Sequence, residues 1–284
     1  MRLINFLLDG HPRLGARSGD KVVDLTAAGL PASVDALLRM GESGMSQAQV
    51  ALAAAGSTVP LGGLVYLPPV LNPAKAIAVG LNYVDHAAES PYKDPPKFPI
   101  LFNRYRSSWV AHNHDIVRPH VSTAFDYECE LVVVIGRPGR YIDKRNALSH
   151  VAGYSIFNDG SIRDYQLRTT QWMIGKNFDD SAGFGPELVT ADELPAGACG
   201  LRIQTRLNGQ VVQDANTRDM IFDVATLVHA CAEAMTLNVG DIIISGTPSG
   251  VGMARKPPLY MKAGDVCEIE IEQIGVLRNT VVDE

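Results

Sequence analysis

The rhythm of hydrophobic and polar positions changes near residue 70. Up to about residue 26, apolar and polar residues alternate around "HPRLGARSGDKVVDLT", which predicts short strands of a small sheet joined by a Ser-Gly-Asp turn. "SVDALLRMGESGMSQAQVALAAAG" then has helical composition, with Ser33 placed to cap the first of two helices and a glycine break at Gly41 to Gly44. In "VYLPPVLNPAKAIAVGLNY" prolines precede the apolar strand "KAIAVG". The chain therefore divides into a small N-terminal α+β domain, residues 1–70, and a larger domain, 71–284. The larger part alternates strand-like runs with Gly/Pro/Asn/Asp turns: "ELVVVIG", "HVAGYSIFND", "LRIQTRLNGQVVQ", "DIIISGTP" and "VCEIEIEQIGVL". One amphipathic helix, "MIFDVATLVHACAEAM", interrupts them. Helices this few and irregular do not suit a doubly wound sheet, so the fold class expected is β-rich α+β.

Composition narrows the function classes. With 284 residues and 46% hydrophobic content, the chain can bury a large core. No apolar run reaches the 18 or so residues of a membrane span, and the apolar part of "MRLINFLLDGHPRLG" is short for a secretory signal. The expectation is no membrane partner and a cytoplasmic location. A net charge of -6 without a basic run argues against nucleic acid. Cys129, Cys199, Cys231 and Cys267 form no CxxC or Cys/His pairing and read as reduced core thiols.

The chemistry begins in "FDYECELVVVIG". On a strand, Asp126, Glu128 and Glu130 share one face while Tyr127, Cys129 and Leu131 share the other. Same-face neighbours lie roughly 7 Å apart, so two unpaired carboxylates there repel and raise each other's pKa. Positive charge must lie nearby. A third acid, Asp159, ends the apolar strand of "AGYSIFNDGSIRDYQ". Three carboxylates make a hard-oxygen site suited to Mg²⁺ or Mn²⁺. The alternative is that Glu128 or Glu130 pairs with Arg104 or Arg163, while Asp159 caps the following helix.

In "VGLNYVDHAAES", His86 and Glu89 stand three apart on a short helix, where a carboxylate can orient an imidazole as a general base, or form only a surface pair. Lys176, in "QWMIGKNFDDSAGFGP", follows a glycine amid aromatics and can aim its charge at an oxyanion or simply be solvated. Arg163 and Gln166 lie one helical turn apart, suited to gripping a substrate carboxylate or packing the helix. "IISGTPSGVG" offers Thr247, Ser249 and backbone amides that can face an anion, although it lacks the Gly-Lys-Ser/Thr of a P-loop and also reads as a plain tight turn. In "FNRYRSSWVAHNHD", Arg104, Arg106, His112 and His114 read as pocket or surface groups, since the H-x-H pair has no third ligand at matching spacing.

Taken in order, "GLNYVDHAAE", "DYECELVVVIG", "VAGYSIFNDGSIRDYQ", "GKNFD", "GP" and "SGTPSGVG" resemble the fumarylacetoacetate hydrolase family over roughly residues 76 to 284, with E-x-E followed by N-D-x-S-x-R-D the specific part. The resemblance implies a mixed β-sandwich roll and, usually, a homodimer. It also implies one Mg²⁺ or Mn²⁺ per subunit on Glu128, Glu130 and Asp159, a catalytic His86/Glu89 dyad and an active-site Lys176. By the same resemblance Arg163, Gln166 and Thr247 contact substrate. Many members carry Lys and Pro where this chain reads "LFNRYRSS", so Arg104 and Arg106 are expected to read a different acid group or tail.

The activity this implies is hydrolytic cleavage of a carbon-carbon bond in a small keto acid, an acylpyruvate-like 2,4-diketo acid, with His86 activating water and Lys176 neutralising the pyruvate enolate. Decarboxylation of an oxaloacetate-like acid, or isomerisation of a 2-hydroxydienoate, passes through a similar enolate. A non-catalytic binding protein is the reading from another class. "SPYKDPPKFP", residues 90 to 99, is a candidate lid.

Overall fold

A computed structural model of the chain describes residues 1–89 and 96–284. Most of the candidate lid, at 90–95, lies outside the described residues.

The run of branched apolar residues after Glu130 forms the strand Cys129–Ile135, buried along its whole length. It is covered on both faces, and alternation sorts its side chains. Leu131, Val133 and Ile135 join one core cluster with Ile203, Ile269 and Ile271, while Val132 and Val134 join another with Phe184, Leu188 and Ile244. The first cluster fills the space between two sheets.

Among the described residues the larger sheet has twelve strands. At its centre Cys129–Ile135 pairs antiparallel with Val151–Asn158 on one side and Ile242–Ile244 on the other. Ala76–Gly80 and Ile100–Asn103 continue to one edge, and Ala182–Thr190 lies beyond Val151–Asn158. The small sheet expected at the N-terminus is present as Arg2–Leu8, His11–Ser18 and Lys21–Asp24, and it joins the large sheet where Arg2–Leu8 pairs with Ala182–Thr190. The second sheet has five strands among the described residues, including Arg202–Leu207, Gln210–Asn216, Val266–Ile271 and Gly275–Asp283. The architecture is β-rich α+β.

The predicted helices form where their caps allow. Ser33 accepts a hydrogen bond from the Ala36 amide and starts Val34–Arg39. The break falls at Gly41, at φ +61°, whereas Gly44 lies inside the next helix, Gly41–Ala54. Val34, Leu37 and Leu38 pack into the same cluster as Val132 and Val134, so these helices cover the outer face of the large sheet. Asp223 caps Val224–Ala234 through the Thr226 amide at 2.8 Å, and that helix buries Leu227, Val228 and Cys231 in the cluster between the sheets. All four cysteines are free. Three are buried as expected, but Cys199 is exposed. Among the described residues no helix is long and apolar enough to cross a membrane.

Candidate active site

Two strand ends meet to build the site. The Glu128 amide donates to Asn158 Oδ1 at 3.1 Å, and the Asp159 amide donates to the Glu128 carbonyl at 2.9 Å. Asp159 is thereby fixed beside the face carrying Glu128 and Glu130. One ligand atom from each of the three buried carboxylates lies within 4.8 Å of the other two.

The positive charge that alternation demanded comes from several side chains. Lys176 Nζ lies 2.6 Å from Glu128 Oε2 and 2.5 Å from Asp159 Oδ2. Arg163 spans Asp126 at 2.8 Å and Glu128 at 2.7 Å. Burial alone would raise the Glu128 carboxyl, but Lys176, Arg163 and His86 hold it down at about 2. Glu130 is treated differently. Its carboxylate accepts the Gly246 amide at 2.5 Å, and burial together with the charges of Asp159 and Glu128 pushes its pKa well above the usual range. Asp159 Oδ1 is buried beside Arg104, 3.2 Å away, but makes no hydrogen bond. Three buried hard-oxygen donors, one short of hydrogen bonds and one short of positive charge, fit a divalent cation of the Mg²⁺ or Mn²⁺ kind. The pairing of Glu128 with Arg163 coexists with such a site, because it leaves Glu130 without an ion pair of its own among the described residues, although Lys176 acts on it from a distance.

The helix Val84–Glu89 brings the imidazole to the same pocket. His86 is buried, and its Nδ1 lies 3.0 Å from Glu89 Oε1. Both oxygens of Glu89 accept the Gly250 amide at 3.1 Å. The glycine-rich turn thus does present amides to anions, but these anions are the protein's own Glu130 and Glu89. The backbone needs glycine there: Gly250 has φ +99°, and an added Cβ would lie 2.4 Å from the Val212 carbonyl oxygen. Gly250→Ala is expected to cost about 2–4 kcal/mol of stability. Urea unfolding measures it, and a change below about 0.5 kcal/mol would show that the turn relaxes freely.

His86, Glu89, Glu128, Glu130, Asp159, Lys176, Arg163, Gln166 and Thr247 all line one pocket. Arg163 and Gln166 face each other there, with Arg163 Nη1 donating to Gln166 Oε1 at 2.9 Å. Two other expected residues are not brought to it. Arg106 donates to the carbonyls of Leu71 and Trp109 at 3.0 and 2.9 Å and lies over the Trp109 ring. Arg104 is buried behind Asp159, donating to the Gly160 carbonyl and lying over Phe157. Neither lines the pocket, because their guanidiniums are committed to backbone and to Asp159. His112 also lies elsewhere, packed edge-on to Tyr66 and accepting the Arg278 amide.

Sequence reasoning missed the apolar wall and one organiser. Phe102 and Trp172 meet edge to face at 5.8 Å and line the pocket with Leu81 and Met253. Gly80 permits this approach, since a Cβ there would lie 2.2 Å from the Trp172 ring. Asp126 shares the acids' face but is turned to other work: it holds Arg163 and accepts the amides of Gly252 and Met253 at 2.7 and 2.9 Å. Alternation placed it correctly, but only the turn's return to it reveals the role.

Comparison with known proteins identifies the family. The family profile described as Fumarylacetoacetate (FAA) hydrolase C-terminal matches residues 75–282. A rat (Rattus norvegicus) protein named oxaloacetate tautomerase Fahd2a, mitochondrial, is 41% identical across 99% of this chain and 92% of its own. The solved structure of a fumarylacetoacetate hydrolase from Exiguobacterium antarcticum superposes with TM-score 0.88 at 36% identity, covering 100% of both chains. Maleylpyruvate hydrolase from Sphingobium sp. SYK-6, solved with manganese(II) and pyruvate, gives TM-score 0.83 at 29% identity, covering 100% of this chain and 99% of that one. On fold, sequence and the order of its motifs, the chain belongs to the fumarylacetoacetate hydrolase family.

Proposed function

We propose that the chain is a divalent-metal-dependent tautomerase interconverting the keto and enol forms of an oxaloacetate-like 2-oxo acid. The observation that carries this reading is the opening of the His86–Glu89 dyad onto the pocket that holds the three carboxylates. Keto–enol exchange requires one proton to leave C3 and the charge on the 2-oxo oxygen to be neutralised. Glu89 accepts a hydrogen bond from His86 Nδ1–H and leaves Nε2 as the base that takes the C3 proton and delivers it to the 2-oxo oxygen, giving the enol; the reverse transfers restore the ketone. The Lys176 ammonium adds positive charge beside the developing enolate. A divalent cation on Glu128, Glu130 and Asp159 would supply Lewis-acid charge to the substrate's carboxylate and oxo oxygens. No water has to be activated.

The rat relative's name, with its coverage of nearly the whole chain, supports tautomerisation ahead of the carbon-carbon hydrolysis expected from sequence. Hydrolysis of a 2,4-diketo acid is the second reading, supported by the Sphingobium neighbour. The test is to mix Mn²⁺-loaded protein with enol oxaloacetate and with acetylpyruvate, following enol absorbance and identifying products by mass spectrometry. The expected result is metal-dependent enol decay without release of carbon dioxide, and intact acetylpyruvate. Pyruvate and acetate from acetylpyruvate, with enol decay at the background rate, would establish the hydrolase instead.

A further inference from the structure

We propose that Gln213 is a positioning residue that turns the hydroxyl proton of Thr247 into the pocket, making Thr247 a hydrogen-bond donor to the carboxylate of a bound 2-oxo acid; the class of ligand rests on the function proposed above. Gln213 lies in the strand Gln210–Asn216 of the five-stranded sheet and is buried at 2% exposure. Its amide uses every hydrogen-bonding position it has. Oε1 accepts from the Cys129 amide at 3.1 Å and from Thr205 Oγ1 at 2.8 Å, while Nε2 donates to Thr247 Oγ1 and to the Pro248 carbonyl, both at 2.9 Å.

Two of these partners leave no freedom in the assignment. A backbone amide only donates and a carbonyl only accepts, so Cys129 fixes the oxygen end of Gln213 and Pro248 fixes the nitrogen end. The contact with Thr247 therefore has Gln213 as donor. Thr247 Oγ1 spends a lone pair on it, and its own proton must point away from Gln213. Inside the protein the hydroxyl has the Cys129 thiol as a hydrogen-bond partner, and sulfur is a weak one. The pocket, which Thr247 also lines, is the alternative outlet. A carboxylate accepts such a proton well, whereas a hydroxyl presenting a lone pair would repel it.

The test is calorimetric binding of oxalate, a planar analogue of a 2-oxo acid's carboxylate and oxo group, to the full-length protein loaded with Mn²⁺. Gln213→Met, Thr247→Val and the double variant form a cycle. Each single variant is expected to weaken oxalate roughly tenfold. The double variant should be within about twofold of Thr247→Val alone, and Mn²⁺ affinity without oxalate should stay within about threefold. A merely structural role predicts independent losses that multiply to about a hundredfold; that result, or unchanged oxalate binding in Gln213→Met, overturns the proposal. If Gln213→Met does not fold, Gln213→Glu completes the same cycle, because it keeps the shape but takes the Thr247 proton for itself. Oxalate binding needs no turnover. Failure to tautomerise oxaloacetate would therefore sink the proposed function while leaving this test readable.

Discussion

Replacing Glu130 with glutamine is expected to abolish divalent-cation binding while leaving the metal-free protein as stable as the parent or more so. Removing one partner of a buried ion pair commonly costs about 3–5 kcal/mol, because a charge is left uncompensated. Glu130 has no such partner: among the described residues its carboxylate is held by the Gly246 amide and sits beside Glu128 and Asp159. Glutamine keeps the volume and an oxygen for that amide, and it is neutral, so it avoids the burial and like-charge cost that raises the Glu130 pKa. The loss appears only when the cation is added. Mn²⁺ affinity should fall at least about a hundredfold, and the stabilisation that saturating Mn²⁺ gives the parent, about 2.7 kcal/mol at a hundred times Kd, should disappear. Calorimetric titration and thermal unfolding with and without Mn²⁺ measure both effects. Parent-like Mn²⁺ binding would place the cation elsewhere, and a metal-free variant destabilised by more than about 2 kcal/mol would show that the Glu130 charge is compensated in a way these contacts do not reveal.

The second large effect is expected at the dyad. His86→Ala should lower kcat about 10²- to 10⁴-fold, the usual contribution of a positioned acid or base, with Mn²⁺ affinity little changed. Glu89→Gln should cost less, roughly 10- to 100-fold, because the amide side chain keeps an acceptor for Gly250 but loses the charge that stabilises the protonated imidazole. Deuterium uptake at substrate C3 from heavy water reports the proton transfer directly. If uptake in His86→Ala matched the parent, another group would be moving the proton. A rise in KM with kcat unchanged would assign His86 to binding instead.

Much of the site was legible because local periodicity places side chains. Two-residue alternation put Glu128 and Glu130 on one face, and i, i+3 spacing put His86 against Glu89. What was not legible depends on which distant atoms close around a group. Arg106 stands in a promising segment, but its guanidinium is taken by the Leu71 and Trp109 carbonyls. Gln213 reads as an ordinary polar strand residue, and its partners lie 84 residues away at Cys129, 34 away at Thr247 and 8 away at Thr205. The edge-on meeting of Phe102 with Trp172 joins two segments that no spacing rule connects. The fold class followed from the strand rhythm, whereas the junction of Arg2–Leu8 with Ala182–Thr190 depends on long-range pairing that no local pattern encodes.

The amides of Gly246 and Gly250 belong to one short turn, and they grip Glu130 and Glu89 respectively. Anyone reshaping this pocket by transplanting loops between relatives therefore inherits a linked pair of settings. A cassette carrying this turn would retune cation affinity and proton-transfer strength in one stroke, and an engineer who wanted only one of them changed would have to work from the acids' own strands and helix.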